Sequence, residues 1–301
     1  MLKKTALQIT IRTSTLRDIK VLHLEPTDVC QAACPLCARE TDKDFNKSLQ
    51  RHLTIEQIEK HLDEEKIKAL DKMFMCGNYG DPAAGKHTLD IYNYFRRLNP
   101  DIVLGMNTNG ALQTTFWWHK LGQILNQPMD YVVFSIDGLE STNGVYRKNV
   151  VWSKLMANVE AFIAAGGSAH WDMLVYRHNQ DQVNACEQLA RDMGFKWFRA
   201  KVSRRGFTDR LEAPIGWANP RVSGTKINCH ALNEQSIYID AQGNLSPCCW
   251  LGARQKDFVT DFNLIQNSWT GLQPEITCLD TCGTTSTETS FSQQWQREVQ
   301  L

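Results

Sequence analysis

No apolar run in this chain reaches the roughly 18 residues needed to span a bilayer, so a membrane helix is excluded. Neither sign of charge dominates: 33 basic side chains balance 33 acidic ones. That balance gives no electrostatic ground for a nucleic-acid partner, because such proteins carry a basic excess or stripe. The one locally basic stretch, Lys201-Val202-Ser203-Arg204-Arg205, is short and reads as a solvated loop. Lys3 and Lys4 lie near the start, but no h-region or small-residue cleavage site follows, so no secretory signal is expected. No internal repeat of useful length is present.

Against these absences stand ten cysteines among 301 residues. Without a secretory signal they imply reduced thiols and a cytoplasmic location, where clustered cysteines bind metal more often than they form disulfides. Hydrophobic residues at 42% and charged ones at 22% suit a globular protein with a sizeable core.

From about residue 20 to 200, short apolar strands alternate with amphipathic helical stretches. Strands are expected at Val21–Glu25, Lys72–Cys76, Ile102–Asn107, Tyr131–Ile136, His170–Tyr176 and Lys196–Ala200. Helices are expected at Thr54–Glu64, Thr88–Leu98, Thr115–Leu125, Ser153–Ala165 and Asp181–Met193, the first opening on a Thr54/Gln57 capping box. Such alternation makes an α/β fold with a parallel sheet, either a partial barrel or an open doubly wound sheet. In both, ligands gather at the carboxyl ends of the strands. After residue 200 the pattern changes. Arg204–Arg221 carries Gly206, Pro214, Gly216 and Pro220 without periodicity and reads as a linker or lid. Ser236–Asp240 and Asn244–Cys248 read as a hairpin turning at Gly243, and the polar tail 283–301 is expected to fray at least in part.

Cys30, Cys34 and Cys37 follow the first strand in the run Leu24-Glu25-Pro26-Thr27-Asp28-Val29-Cys30-Gln31-Ala32-Ala33-Cys34-Pro35-Leu36-Cys37. Three thiolates at x3 and x2 spacing can wrap one corner of an iron–sulfur cubane and leave one iron open, as a catalytic centre requires. The competing reading is a zinc site completed by His23 or Cys76, although zinc favours paired CxxC or Cys/His spacings. Cys76 and Cys186 otherwise read as buried core thiols.

The CxxxCxxC spacing resembles the signature of the radical S-adenosylmethionine (SAM) superfamily, and other motifs follow in that family's order. Cys76-Gly77-Asn78-Tyr79-Gly80-Asp81-Pro82 is similar to its Gly-Gly-Glu-Pro motif, which implies that Gly80, Asp81 and Pro82 meet the methionine amino group of SAM. Asn107-Thr108-Asn109-Gly110 resembles a Thr-Asn-Gly near the nucleoside. Phe134-Ser135-Ile136-Asp137-Gly138 resembles a Ser-Ile-Asp-Gly whose Ser135 and Asp137 contact SAM, with Arg147 ten residues on. Two departures stand out: Leu36 replaces an aromatic residue near adenine, and Asp81 replaces Glu. The resemblance covers roughly residues 20 to 200. It implies a partial (β/α)6 TIM-like barrel, a SAM-coordinated [4Fe–4S] cluster, and SAM cleaved reductively to a 5′-deoxyadenosyl radical that abstracts a substrate hydrogen.

Cys229, Cys248, Cys249, Cys278 and Cys282 form a second group. Their spacing around Gly243 resembles the SPASM and twitch extensions of that family. It implies an auxiliary [4Fe–4S] cluster on Cys229, Cys248, Cys278 and Cys282; the competing reading is structural zinc on the same four. Strand alternation sends Cys248 and Cys249 to opposite faces, and Cys248 fits the spacing. The implied domains are a core over 1–200, a linker or lid over 201–228, the auxiliary domain over 229–282 and a tail over 283–301.

The resemblance further implies an electron donor such as flavodoxin or ferredoxin, and an oxidoreductase or maturase that modifies a peptide or protein. The alternatives are a dehydrogenase of a small carbohydrate-like alcohol and, outside enzymes, an electron carrier or scaffold. The short stretch ahead of the first strand leaves no room for a separate peptide-recognition domain. Asp172, Tyr176 and Arg199 sit on strands that line the expected cavity.

Overall fold

The computed structural model describes residues 19–203, 205–217, 227–254, 275–283 and 297–301. Six parallel strands cross one sheet in chain order: β1 (Val21–Leu24), β2 (Lys72–Met75), β3 (Val103–Thr108), β4 (Tyr131–Ser135), β5 (Ala169–Val175) and β6 (Trp197–Val202). All six lie within two residues of their expected bounds. Unbroken order from β1 to β6 makes a partial (β/α)6 barrel, since a doubly wound sheet reverses its strand order at a switch point.

Alternation sets the two faces of the sheet. Ala169, Trp171, Met173 and Val175 of β5 are buried, as are Phe198, Ala200 and Val202 of β6, while the residues between them are half-buried. The buried face packs into one core with apolar residues of the helices, among them Phe95, Trp118, Leu121, Val159 and Phe162. The other face lines the open lumen, and there the side chains are more polar: Asn107, Ser135, Asp172, Arg199, Lys201.

The helices in chain order are α1 (Ala38–Thr41), α2 (Ile55–Glu59), α3 (Glu64–Lys68), α4 (Thr88–Leu98), α5 (Thr115–Ile124), α6 (Glu140–Tyr146), α7 (Trp152–Ala164) and α8 (Val183–Met193). The helix expected over Thr54–Glu64 stops at Glu59, and a second begins at Glu64. Its capping box is present, but the Asp63 carboxylate accepts from the Lys66 amide and starts α3 anew. Helix α6 was not foreseen, because Ser141, Thr142, Asn143 and Gly144 are poor helix formers.

Both edges of the six-stranded sheet are extended. β7 (Ser236–Ile239) pairs in parallel with β1, and β8 (Leu245–Ser246) pairs antiparallel with β7 through the expected turn, where Gly243 has φ +83°. β8 stops short of Cys248 because Pro247 has no N–H to donate and a helix begins at Cys249. β9 (Arg297–Gln300) pairs antiparallel with β6, so that part of the tail is ordered. Residues 205–217 are likewise bonded in place: Thr208 and Leu211 exchange backbone hydrogen bonds, Arg177 pairs with Glu212, and Phe207 meets Trp217 edge-on at 4.7 Å. None of the described helices is long and apolar enough to cross a membrane.

Candidate functional site

The first cysteine loop leaves the carboxyl end of β1 and is tied down by polar contacts. Asp28 accepts from the Arg51 amide (2.8 Å) and pairs with its guanidinium (2.5 Å), while Arg39 donates to the Asp28 carbonyl. The Cys37 amide donates to the Cys34 carbonyl (2.9 Å), so those two residues share one turn. All three cysteines are free thiols. Burial pushes the Cys30 thiol up to about 12 and raises that of Cys34, where Arg147 opposes the shift. Iron binding would deprotonate them outright. Side-chain donors already face two sulfurs: Asn109 Nδ2 lies 3.6 Å from Cys30 Sγ, and Arg147 Nη1 lies 3.9 Å from Cys34 Sγ. Among the described residues no three His, Cys, Asp or Glu side chains close on a single ion. A cubane asks for no such convergence, because each thiolate takes a different iron.

The loop after β2 packs directly on this one. A Cβ on Gly80 would stand 1.8 Å from the Thr27 carbonyl oxygen, and one on Gly77 would stand 2.1 Å from that of Gly80. Gly80 thus permits a close approach between two protein loops, and Gly77 a tight turn within its own. Asp81 is buried, and both its oxygens are occupied. Oδ1 accepts from the Ala83 amide (2.9 Å) and Thr108 Oγ1 (2.8 Å); Oδ2 accepts from the Asn109 amide and side chain (2.7 Å each). It joins the end of β2 to the end of β3. Burial raises its pKa, against the pull of those bonds. Pro82 opens a 3-10 turn that Asp81 caps.

Asp137, at the end of β4, has no exposed side-chain surface. It pairs with Arg147 Nε at 2.6 Å and accepts from the Leu174 amide at 2.7 Å. The pair aims Arg147 at Cys34. Ser135 and Asn107 are half-buried on the lumen face, and Leu36 is half-buried beside the cysteine turn. Asp172 takes Arg199 (2.6 Å) and Lys201 (2.7 Å) as ion-pair partners, and Tyr176 is fully buried. Cys186 is a core thiol as expected. Cys76 is only half-buried, because it lies past the end of β2 where the strand opens into the site loop.

Sequence reasoning missed Glu25. This buried carboxylate accepts from the Tyr79 amide (2.7 Å), the Gly80 amide (3.1 Å) and the Tyr238 hydroxyl. It therefore links β1, the loop after β2, and β7. Burial pushes its pKa up to about 7, with Asp240 adding to the rise and the three hydrogen bonds opposing it. Its one sequence signal was a charged residue closing an apolar strand next to the cysteine loop.

Cys229, Cys248, Cys278 and Cys282 line one small apolar cavity with Ile227, Leu251 and Thr277. Backbone amides of Ala231 and Leu232 serve the Cys229 sulfur, and those of Trp250 and Leu251 serve Cys248. Cys249 turns away from it, toward Cys76 and Glu25. The divergence expected from strand alternation is present, but it arises at the first turn of the helix Cys249–Arg254. A cleft of about 1010 Å³ reaches from the Leu36–Ala38 turn to Trp250 and Thr281, walled also by Phe45, Tyr79, Arg205 and Tyr238; none of the seven cysteines lines it.

The radical SAM superfamily model matches residues 24–187, more than half of the chain and all of the first site. The chain belongs to the radical SAM superfamily. Family membership implies an enzyme that uses SAM and a [4Fe–4S] cluster. None of the curated proteins matches the sequence. Among solved structures, Streptococcus suis SuiB bound to S-adenosylmethionine superposes with a TM-score of 0.55 at 13% identity, over 79% of this chain and 62% of SuiB. SuiB bound to its precursor peptide SuiA gives 0.55 at 15% identity, over 84% and 65%. The structure of anSMEcpe with AdoMet and the Cp18Cys peptide gives 0.55 at 15%, over 76% and 73%. These likenesses concern the fold. The chain spans less than two thirds of the length of SuiB.

Proposed function

We propose that this radical SAM protein oxidatively modifies a peptide or protein, with a SAM-coordinated cluster on Cys30, Cys34 and Cys37 and an auxiliary [4Fe–4S] cluster on Cys229, Cys248, Cys278 and Cys282. The observation that carries the reading is a cleft whose wall includes neighbours of both cysteine groups, Leu36 and Ala38 from the first and Trp250 and Thr281 from the second. At about 1010 Å³ it stands at the upper end of the range of ligand pockets. The residues fit the groups. Three thiols, two of them with N–H donors on their sulfurs, suit a cubane with one open iron, and four cysteines around an apolar cavity suit a closed one. Peptides bound by SuiB and anSMEcpe point to the same substrate class.

Held by Cys30, Cys34 and Cys37, a SAM-coordinated cluster would supply one-electron reductive cleavage of SAM and, through it, hydrogen-atom abstraction from the substrate. The chain's own residues prepare that step. Asn109 and Arg147 present N–H groups to Cys30 and Cys34. Asp81 and Asp137 fix those donors by hydrogen bond and ion pair, and Ser135, Asn107 and Leu36 are read as contacts of SAM.

Anaerobically loaded protein is expected to carry about eight iron and eight sulfide per chain, four for each cubane. A Cys30/Cys34/Cys37→Ala variant is expected to keep about half of that iron; keeping all of it removes the assignment. One bound zinc in place of half the iron would return the C-terminal cysteines to a structural role. For the substrate, deuterated peptide libraries and deuterated polyols are incubated separately with SAM and dithionite. Deuterium in 5′-deoxyadenosine from the peptides supports the reading, and deuterium from polyols alone replaces it with alcohol oxidation.

A further inference from the structure

Each sulfur of the first cysteine group is faced by one N–H donor, and the three donors come from three parts of the chain. Asn109 faces Cys30 and Arg147 faces Cys34, each held by a buried aspartate. The third donor is Arg205, which lies in the stretch that the sequence reads as a solvated loop. Its Nη1 donates to the Leu36 carbonyl at 3.3 Å, across 169 residues of chain, and its guanidinium also reaches the Cys37 sulfur. Among the described residues no carboxylate pairs with Arg205; its other neighbours are Tyr146 and Arg147. The segment that carries it is anchored, by the Arg205 amide to Ser203 Oγ (3.2 Å), by buried Leu211, and by the Arg177–Glu212 ion pair.

We propose that Arg205 is a positioning residue of the cluster: it pins the Leu36–Cys37 turn and sets a fixed positive charge beside the Cys37 sulfur, raising the cluster's reduction potential. Reduction adds one electron to the cluster and breaks no bond, so a neighbouring cation stabilises the reduced form more than the oxidised one. Hydrogen bonds to the sulfurs act in the same direction. Arg205 also stands on the wall of the cleft, so the residue that tunes the cluster borders the place where substrate enters.

The test is a mediated redox titration of loaded protein against dithionite, followed by electron paramagnetic resonance. The signal that shifts on adding SAM identifies the open-iron cluster. At the poise that half-reduces the wild type, Arg205→Ala is expected to lower the reduced-to-oxidised ratio about tenfold, or about 59 mV for one electron. Arg205→Lys, which keeps the charge, recovers most of the loss, whereas Arg205→Gln does not. Amide hydrogen exchange over residues 34–41 rises in Arg205→Ala and returns toward wild type in Arg205→Lys. An unmoved ratio overturns the proposal, and so does a changed KM for SAM at an unmoved ratio. If Arg205→Ala fails to hold iron, equal midpoints in the Lys and Gln variants overturn it instead. The inference rests on the cluster at Cys30, Cys34 and Cys37. A wild type with no SAM-shifted signal tells against that cluster, while a signal with an unmoved midpoint tells against Arg205 alone.

Discussion

Asp137 and Arg147 show how one ion pair can orient a site. The carboxylate is wholly buried and the guanidinium nearly so, which leaves each charge dependent on the other. Replacing Asp137 with Asn strands the cation, and such losses cost about 3–5 kcal/mol. Chemical denaturation under argon is expected to show a fall of that size. Glu25 makes a different prediction. Its folded pKa of about 7 lies above the ordinary 4.5, so between those values the folded state keeps a proton that the unfolded chain has released. Its contribution to stability is therefore full below pH 4.5 and is lost as pH rises to 7. The difference in unfolding free energy between wild type and Glu25→Gln is expected to decline across that window and level off above it. A difference that stays flat from pH 4 to 8 would contradict this.

The elements of the site are held by close contact between loops as much as by strands. The nearest atoms to a Cβ on Gly80 belong to the Thr27 and Asp28 backbones, which cannot swing aside. Gly80→Ala is expected to lose about 3 kcal/mol or more, at the upper end of overpacking costs. Gly144, in α6, meets nothing within 4 Å, and Gly144→Ala is expected to gain about 0.5–1 kcal/mol. Thermal unfolding of the two variants gives shifts of opposite sign. The contrast also marks what a sequence can reveal. The strands were legible because Leu22 and Leu24, Val132 and Phe134, and Trp171 and Met173 alternate at the period of a buried face, and the cysteine loop because its spacing is rare. The Glu25–Tyr238 bond joins residues 213 apart, and no local pattern announces such a pair. The short basic run was legible only in part: Arg205 is exposed, as a solvated loop would have it, but Lys201 and Val202 belong to β6, and the Arg205 bond to Leu36 spans 169 residues.

At the scale of the whole molecule, the sheet ends in strands from the last quarter of the chain. β9 is polar, with Glu298 and Gln300 exposed, so its strand character is invisible until β6 is there to receive it. Deleting residues 297–301 uncovers the backbone edge of β6, a template for pairing with another chain. Light scattering is expected to show self-association of that variant, with the first site's iron retained. At the other edge β7 covers β1 in parallel; the first cysteine group follows the carboxyl end of β1, whereas Cys229 precedes β7 and Cys248 follows β8. That pairing joins one of the first strands made to one of the last. Ribosomes extend a chain at about 5–20 residues per second, so β1 waits roughly 10–40 s for its neighbour during synthesis. For that interval the nascent protein shows an open strand edge beside three cysteines, and how long it stays open depends on how fast residues 25–236 are translated.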